Sequence, residues 1–255
     1  MNMVAKMVAT KLAEALDPVL FCQRLGFVPD EWQARVLRSN AKRIIINCGR
    51  QTGKSTVAAI LGLHTAIYRP GSLVLLLSPS LRQSSELFRK VADFYRRLGH
   101  EGLEPEAWSA LRLELVNGSR IVSLPGKEQT IRGFAGVNLL VVDEAARVPD
   151  ELYAAVRPML ATSNGRLILL STPFGKSGFF YQTWKEGGPE WLRVHVPATQ
   201  CPRISTAFLE EEKRTLGEWF FAQEYMASFE SDPCALIRPE VIERALSSEV
   251  AAWRL

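Results

Sequence analysis

The segment CGRQTGKST, residues 48–56, carries residue types that are suited to holding phosphate. Gly53, Lys54 and Ser55 match the end of the phosphate-loop pattern, in which glycine and lysine precede serine or threonine. Cys48 stands where the pattern has its first glycine, and the adjacent Gly49 supplies flexibility there. Backbone N–H groups of such a loop, at the start of a helix, attract phosphate oxygens. The residues expected to bind a nucleotide are Gly49, Arg50, Gln51, Thr52, Gly53, Lys54, Ser55 and Thr56.

A pair of acids, Asp143 and Glu144, ends the apolar segment LLVVDE. At the end of a strand, Asp143 is placed to hold Mg²⁺ through water, and the hydroxyl of Ser55 is placed to bind the same ion. Glu144 is placed to polarise the attacking water, and Lys54 to reach the β- and γ-phosphates. An acidic pair alone is also typical of a solvated turn. Together with the phosphate loop it predicts an Mg²⁺-dependent hydrolase that uses ATP as its substrate.

Short apolar segments alternate with segments of helical periodicity, which predicts an α/β fold with a mainly parallel sheet flanked by helices. A strand precedes the phosphate loop and a helix follows it, as a phosphate loop requires. A further strand, 72–78, lies between the two motifs in the sequence. It favours the class of P-loop NTPases that has an additional strand and a catalytic glutamate. The predicted strands are 43–48, 72–78, 139–142, 167–171 and 191–196, and the predicted helices are 54–68, 81–98 and 150–160.

Two further regions are expected around this core. Asn117-Gly118, between alternating apolar residues, predicts a β-hairpin inserted near 111–124. After Pro197 the composition changes, and 208–229 combines Glu, Lys and aromatic residues with helical periodicity. We therefore expect a P-loop ATPase core over 1–200 and a small helical lid or linker subdomain over 201–255.

The composition excludes several classes of protein. The chain has 255 residues, of which 47% are hydrophobic and 23% charged, and these fractions exclude a disordered or fibrous protein. The net charge of +4 permits an anionic partner without demonstrating one. The sequence holds no uncharged apolar run of about 18 residues, so we expect no membrane span. The cysteines and histidines lack zinc-site spacing, and free thiols in a reducing compartment are expected.

With these motifs in place, the chain resembles the ATPase domain of large terminase subunits, the DNA-packaging motors of tailed bacteriophages. The resemblance covers nearly the whole chain and rests on five segments, each of which is weak alone. They are GRQTGKST at 49–56, TIRGFAG at 130–136, LLVVDEAA at 139–146, LLSTP at 169–173 and FAQEYMASF at 221–229.

The resemblance implies roles for two residues near the nucleotide. Gln33 lies where the family has a glutamine that reads adenine, although a glutamine on a helix surface is the simpler alternative. Arg50 resembles the family's phosphate-loop arginine, which is expected near the γ-phosphate. The alternative is that this arginine simply pairs with a carboxylate, such as Glu144, when no nucleotide is bound.

The resemblance also implies roles for residues that act between sites or subunits. Arg132 matches an arginine that serves as a finger for the ATP of a neighbouring subunit, and the alternative is a structural ion pair. Ser171 and Thr172 match the coupling motif, whose hydroxyls sense hydrolysis, and the alternative is a plain strand-ending turn.

The partners that the resemblance implies are double-stranded DNA, the portal and the small terminase subunit. It further implies a homo-oligomeric ring on the capsid, a monomer when isolated, no membrane association, and action in the host cytoplasm during phage infection. The DNA-binding residues are unknown, with Arg112, Arg120 and Lys127 as candidates near the hairpin. The predicted helix 81–98 carries a second basic set, for which a solvated face is the simpler alternative: Arg82, Arg89, Lys90, Arg96 and Arg97. The chain stops where the family's nuclease domain should begin, so no nuclease activity is expected. A helicase-type ATPase and a non-hydrolysing nucleotide-sensing assembly module are the alternatives.

Overall fold

The computed structural model describes residues 3–99, 103–126, 131, 133–231, 241 and 245. Within these residues eight strands form a single mixed sheet, and helices cover both of its faces. The strands are β1 (Arg43–Cys48), β2 (Leu73–Ser78), β3 (Pro105–Trp108), β4 (Arg112–Leu115), β5 (Arg120–Pro125), β6 (Leu139–Asp143), β7 (Arg166–Ser171) and β8 (Trp191–Val196). The helices are α1 (Met3–Leu16), α2 (Pro18–Arg24), α3 (Glu31–Arg38), α4 (Lys54–Tyr68), α5 (Leu81–Arg97), α6 (Asp150–Val156), α7 (Gly178–Glu186) and α8 (Thr206–Glu224).

The central strands are apolar on both faces because each face is covered by helices. In β1, Ile44 and Ile46 point to one hydrophobic core and Ile45 points to the other, as the two-residue period of a strand requires. Helices α2 to α5 cover the first face, and α6 and α7 cover the second. The predicted helix 150–160 ends as an α-helix at Val156 and continues as a 3₁₀ turn over Arg157–Leu160. Pro158 lacks the N–H that would extend the α-helical ladder.

The sheet order is β3-β4-β5-β2-β6-β7-β1-β8, and the six strands from β5 to β8 in this order are parallel. This arrangement confirms the predicted α/β fold of the P-loop NTPase type with a mainly parallel sheet. The additional strand between the two motif strands is β7, which pairs with both β1 and β6. Strand β2 suggested that class because it lies between the two motifs in the sequence. In the sheet, however, β2 pairs with β6 on the side away from β7. The carboxyl ends of β1, β7 and β6 consequently meet at one edge of the sheet.

Strands β4 and β5 form the antiparallel hairpin expected around Asn117-Gly118. The Asn117 side-chain amide donates hydrogen bonds to the Ala66 and Ile67 carbonyls, at 2.9 and 3.3 Å, near the end of α4. Because α4 runs away from the phosphate loop, this contact places the hairpin turn at the opposite edge of the sheet. Arg112 in β4 forms an ion pair with Glu114, and Arg120 is exposed at the start of β5. Lys127 lies outside the described residues.

Helix α8 begins at Thr206, is interrupted by Gly217 (φ 79°), and ends at the phosphate loop. The amide of Arg50 donates to the Glu224 carbonyl at 2.8 Å, and the amide of Ala198 donates to the Tyr225 carbonyl at 2.7 Å. A small apolar cluster of Ala198, Leu209 and Tyr225 supports this junction. None of the described helices is long and apolar enough to cross a membrane.

A buried histidine ties α1 to the core and predicts a pH dependence of stability. The His64 ring lies 2.9 Å from the Glu14 carbonyl and contacts Phe21 and Tyr68 edge-on or tilted. Burial lowers the pKa of His64 below its ordinary value near 6.5. The unfolded chain therefore binds a proton at a higher pH than the folded chain, and the free energy of unfolding falls as the pH drops below about 6.5.

We expect His64→Gln to lose less stability than the wild type between pH 7.5 and pH 5.5. Urea unfolding at the two pH values, for both proteins, measures this difference. An equal loss of stability in the two proteins would contradict the assignment.

Candidate active site

The phosphate loop is shaped by residues with left-handed backbone conformations between β1 and α4. Gln51 (φ 60°) and Gly53 (φ 93°) turn the chain, and the Thr52 hydroxyl donates to the Gly49 carbonyl at 3.0 Å. The φ of Gly53 strongly favours glycine, and a Cβ there would also lie 2.6 Å from the Gln33 amide nitrogen. Helix α4 then begins at Lys54, and its first backbone N–H groups have no partner within the helix. The loop thus offers amide donors to an anion.

The structure explains the departure from the phosphate-loop pattern at Cys48. This residue is the fully buried last residue of β1, and burial raises the pKa of its thiol to about 11. The position that requires glycine is Gly49, where a Cβ would lie 2.5 Å from the Tyr225 carbonyl oxygen. Glycine at this position therefore lets the phosphate loop pack closely against the segment after α8. The sequence had suggested that Gly49 supplies flexibility.

Lys54 lies at the centre of a cluster that joins both motifs. Its Nζ is 3.1 Å from Glu144 Oε1 and donates to the Thr172 hydroxyl at 3.4 Å. The Ser55 hydroxyl donates to Asp143 Oδ2 at 3.1 Å. Glu144 has a left-handed backbone (φ 50°), a strained conformation for this residue type that is characteristic of functional sites. The sheet edge thus brings together four of the residues that the motifs predicted.

The electrostatics of this cluster favour an additional cation. Burial, and then the neighbouring Glu144 carboxylate, raise the pKa of Asp143 to about 6. Burial acts to lower the pKa of the Lys54 ammonium, but the surrounding anionic groups, Glu144 and Asp143 among them, raise it above its ordinary value. A cation bound beside Asp143 would favour its ionised form. An aspartate carboxylate beside a serine hydroxyl is a donor set that fits Mg²⁺, which prefers one or two protein oxygens plus phosphate and water.

An open cleft of about 450 Å³ lies over the cluster, a size ordinary for ligand sites. Its lining is polar and rich in cations, which suits a triphosphate. Three of its residues were not predicted as residues of the nucleotide site, and they are Gln83, Lys90 and Arg147. Burial lowers the pKa of Lys90 from its ordinary value. Gln83 and Lys90 share one face of α5, which follows β2, and the charge pattern of that helix suggested only a solvated face or DNA contacts.

Gln33 is completely buried, so the interpretation as a helix-surface glutamine is wrong. Its Oε1 accepts a hydrogen bond from the Asp30 amide at 2.8 Å, which caps α3, and its Nε2 donates to the Thr52 carbonyl at 3.4 Å. Arg203 reaches the same carbonyl at 3.3 Å and forms a two-fold ion pair with Asp30. Gln33 is therefore in contact with the phosphate loop, and its adenine-reading role stays a prediction.

Arg50 pairs with a carboxylate, as the alternative interpretation had it, but the partner is Glu224 at the end of α8 and not Glu144. Glu144 is instead occupied by Lys54 and by Arg147, whose Nη1 is 3.3 Å from Glu144 Oε2. Glu224 was not predicted as a site residue, although it lies in the FAQEYMASF segment that supports the resemblance. The side chain of Arg50 is still 59% exposed at the cleft, so it remains accessible to a ligand.

The two hydroxyls at the end of β7 differ in their contacts. Thr172 accepts from Lys54 at 3.4 Å, whereas the Ser171 hydroxyl donates to the Thr172 carbonyl at 2.7 Å. Thr172 lines the cleft, so it is the better candidate for sensing the phosphate. Arg132 lies outside the described residues, and its role as a finger stays a prediction.

Comparison with known proteins identifies the family. Residues 45–244 match the model of the N-terminal part of the T4likevirus-type terminase large subunit. The large terminase subunit of Thermus phage G20c is 26% identical over an alignment of 246 positions, and the match covers 83% of this chain and 50% of that protein. The Escherichia phage T5 protein is 27% identical over an alignment of 214 positions, and the match covers 80% of this chain and 48% of that protein. The chain thus spans about half the length of these relatives.

Solved structures agree with this result. The ATPase domain of the Thermus phage P74-26 large terminase has a TM-score of 0.74 and 26% identity, covering 82% of this chain and 97% of that chain. The large terminase of a thermophilic bacteriophage, solved in complex with ADP, shares the fold, with a TM-score of 0.62 at 15% identity, covering 78% of this chain and 53% of that chain. Because the family model matches most of its length, the chain belongs to the family of terminase large subunit N-terminal domains.

Proposed function

We propose that this chain is the Mg²⁺-dependent ATPase domain of a motor that moves double-stranded DNA into a viral capsid. The observation that carries the proposal is the contact of Lys54 with Glu144 at 3.1 Å, beside the Ser55–Asp143 contact of 3.1 Å. Both lie where a phosphate loop meets the carboxyl ends of β1, β6 and β7. Family membership and the named ATPase domain of phage P74-26 support the assignment.

In this proposal each side chain has a distinct task. Lys54 binds the β- and γ-phosphates, and Glu144, released from Lys54 when they enter, orients and polarises the attacking water. Arg50 is placed to leave Glu224 for the γ-phosphate. Ser55 and Asp143 would hold Mg²⁺, which would neutralise charge on the phosphates. The ion pair with Lys54 occupies Glu144 Oε1, and phosphates that draw Lys54 away would free this oxygen for water.

The wider assembly is also part of the proposal. Double-stranded DNA, the portal and the small terminase subunit are the proposed partners, and a homo-oligomeric ring on the capsid in the host cytoplasm is the proposed active form. We propose that residues 1–200 form the ATPase core and that 201–255 form a lid or linker. Nuclease activity is not proposed for these residues.

The test is ATP hydrolysis measured with Mg²⁺ and with excess chelator, over a wide range of protein concentration. We expect turnover that requires Mg²⁺ and rises with protein concentration as subunits associate. Binding of ATP without turnover at any concentration, including with DNA added, would favour a nucleotide-sensing assembly module.

Replacing Lys54 with alanine is expected to weaken ATP binding about 10- to 100-fold, because the charge-assisted hydrogen bonds to phosphate are lost. Titration with a fluorescent ATP analogue measures the dissociation constant. Lys185→Ala is the matched control, since Lys185 is an exposed lysine on α7 that contacts only Glu186 at 3.8 Å among its described ion pairs. Equal affinities of the Lys54 and Lys185 variants would contradict the phosphate-binding role.

A further inference from the structure

Arg147 is a cleft residue that neither motif contains, and it contacts three separate parts of the site. It ends the 3₁₀ turn Ala145–Arg147, directly after Glu144. Its guanidinium lies 3.3 Å from Glu144 Oε2 and 3.5 Å from Glu224 Oε1. It also stacks on the Phe174 ring, 4.8 Å from the centroid. The side chain is 27% exposed, so these contacts are only partly screened by water.

These contacts form a chain of alternating charges that runs across the cleft. Lys54 holds one oxygen of Glu144 and Arg147 holds the other. Arg147 then holds one oxygen of Glu224, and Arg50 holds the other. The two outer cations belong to the phosphate loop, whereas the central cation does not. A triphosphate that attracts the outer pair therefore leaves both carboxylates to Arg147.

The end of α8 is also attached to the loop that follows β7. The buried Gln223 accepts a hydrogen bond from the Gly175 amide at 3.4 Å, and its own amide donates to Glu224 at 3.3 Å. Phe174 precedes Gly175 and carries the stacked guanidinium. Arg147 therefore connects Glu144 directly to the end of α8 and to the loop after Thr172.

We propose that Arg147 is a positioning residue that holds Glu144 for water activation and transmits the state of Glu144 to the end of α8. The water-activating role of Glu144 rests on the proposed function, whereas the link between Glu144 and α8 does not. Arginine suits this task because its planar fork can contact two carboxylates while its face stacks on an aromatic ring. Lysine keeps the charge but offers neither the fork nor the stacked plane.

Hydrogen exchange without nucleotide tests the link independently of hydrolysis. Arg147→Gln is expected to raise the exchange rate of the backbone amides in residues 218–226 by about fivefold or more, as expected for loss of coupled charge contacts. Glu144→Gln is expected to raise the same rates in the wild-type background and to add nothing in the Arg147→Gln background. Arg38→Gln, which removes an exposed two-fold pair with Asp17, is the matched control and should leave residues 218–226 unchanged.

Two results of the exchange experiment would overturn the proposal. One is unchanged exchange in Arg147→Gln, and the other is an equal effect of Glu144→Gln in both backgrounds. If Arg147→Gln fails to fold, Arg147→Lys replaces it in the same cycle, with a smaller rise expected. The exchange experiment gives the same answer whether or not the wild type hydrolyses ATP. A failure of the proposed function would appear separately, as absent ATP turnover in the wild type.

In a wild type that hydrolyses ATP, Arg147→Gln is expected to lower kcat at least tenfold, with KM for ATP changed less than about threefold. Arg147→Lys should recover part of kcat. A rise in KM with unchanged kcat would instead make Arg147 a nucleotide-binding residue and would reject its positioning role.

Discussion

Glu144→Gln is expected to lower kcat for ATP hydrolysis about 10²–10⁴-fold, the range for loss of a general base. The same change is expected to tighten ATP binding. In the structure Glu144 forms an ion pair with Lys54 at 3.1 Å, so Glu144 and the phosphates would compete for the ammonium. Glutamine keeps the size of the side chain but removes the competing charge. A fall in kcat combined with a lower dissociation constant is the signature of this arrangement.

Steady-state turnover and equilibrium titration of a fluorescent ATP analogue measure the two quantities separately. Glu186→Gln is the matched control, because Glu186 is a 72% exposed glutamate on α7. Retained turnover in Glu144→Gln would remove Glu144 from catalysis. Weaker ATP binding in this variant would contradict the competition between Glu144 and phosphate for Lys54.

Arg132→Ala is expected to remove the part of the turnover that depends on protein concentration, a loss of about 10³–10⁵-fold if the finger acts as in other NTPases. The spread charge of the transferring phosphoryl group is suited to a guanidinium supplied by a neighbouring subunit. Arg132 lies outside the described residues, so this prediction depends on the family pattern in TIRGFAG.

Mixing two inactive variants tests whether Arg132 acts between subunits. Arg132→Ala subunits retain Glu144, and Glu144→Gln subunits retain Arg132, so a mixed assembly contains complete sites. We expect turnover in the mixture that exceeds the sum of the separate variants. Arg38→Ala, at an exposed arginine, is the control and should behave as the wild type. A mixture no more active than its components would show that Arg132 does not complete a neighbour's site.

The sequence by itself determined the local features of this protein. The apolar run before the phosphate loop and the one before Asp143 predicted buried strands, because strands covered on both faces are continuously apolar. Gly53, Lys54 and Ser55 predicted the loop and helix start, since neighbouring residues along the chain determine that geometry. Asn117-Gly118 likewise predicted a hairpin turn, because the residues of the turn themselves determine its geometry. These features depend on contacts between residues that are close in the sequence.

Only the tertiary structure decided which charges meet. Arg50 and Glu224 are separated by 174 positions, and among 27 acidic residues nothing local distinguishes Glu224 as the partner of the phosphate loop. The insertion of β7 between β1 and β6 places Thr172 against Lys54, and the end of α8 brings Glu224 to Arg147. Ion pairs are decided by distance in space, and that distance follows from strand order and helix docking, which short sequence patterns do not specify.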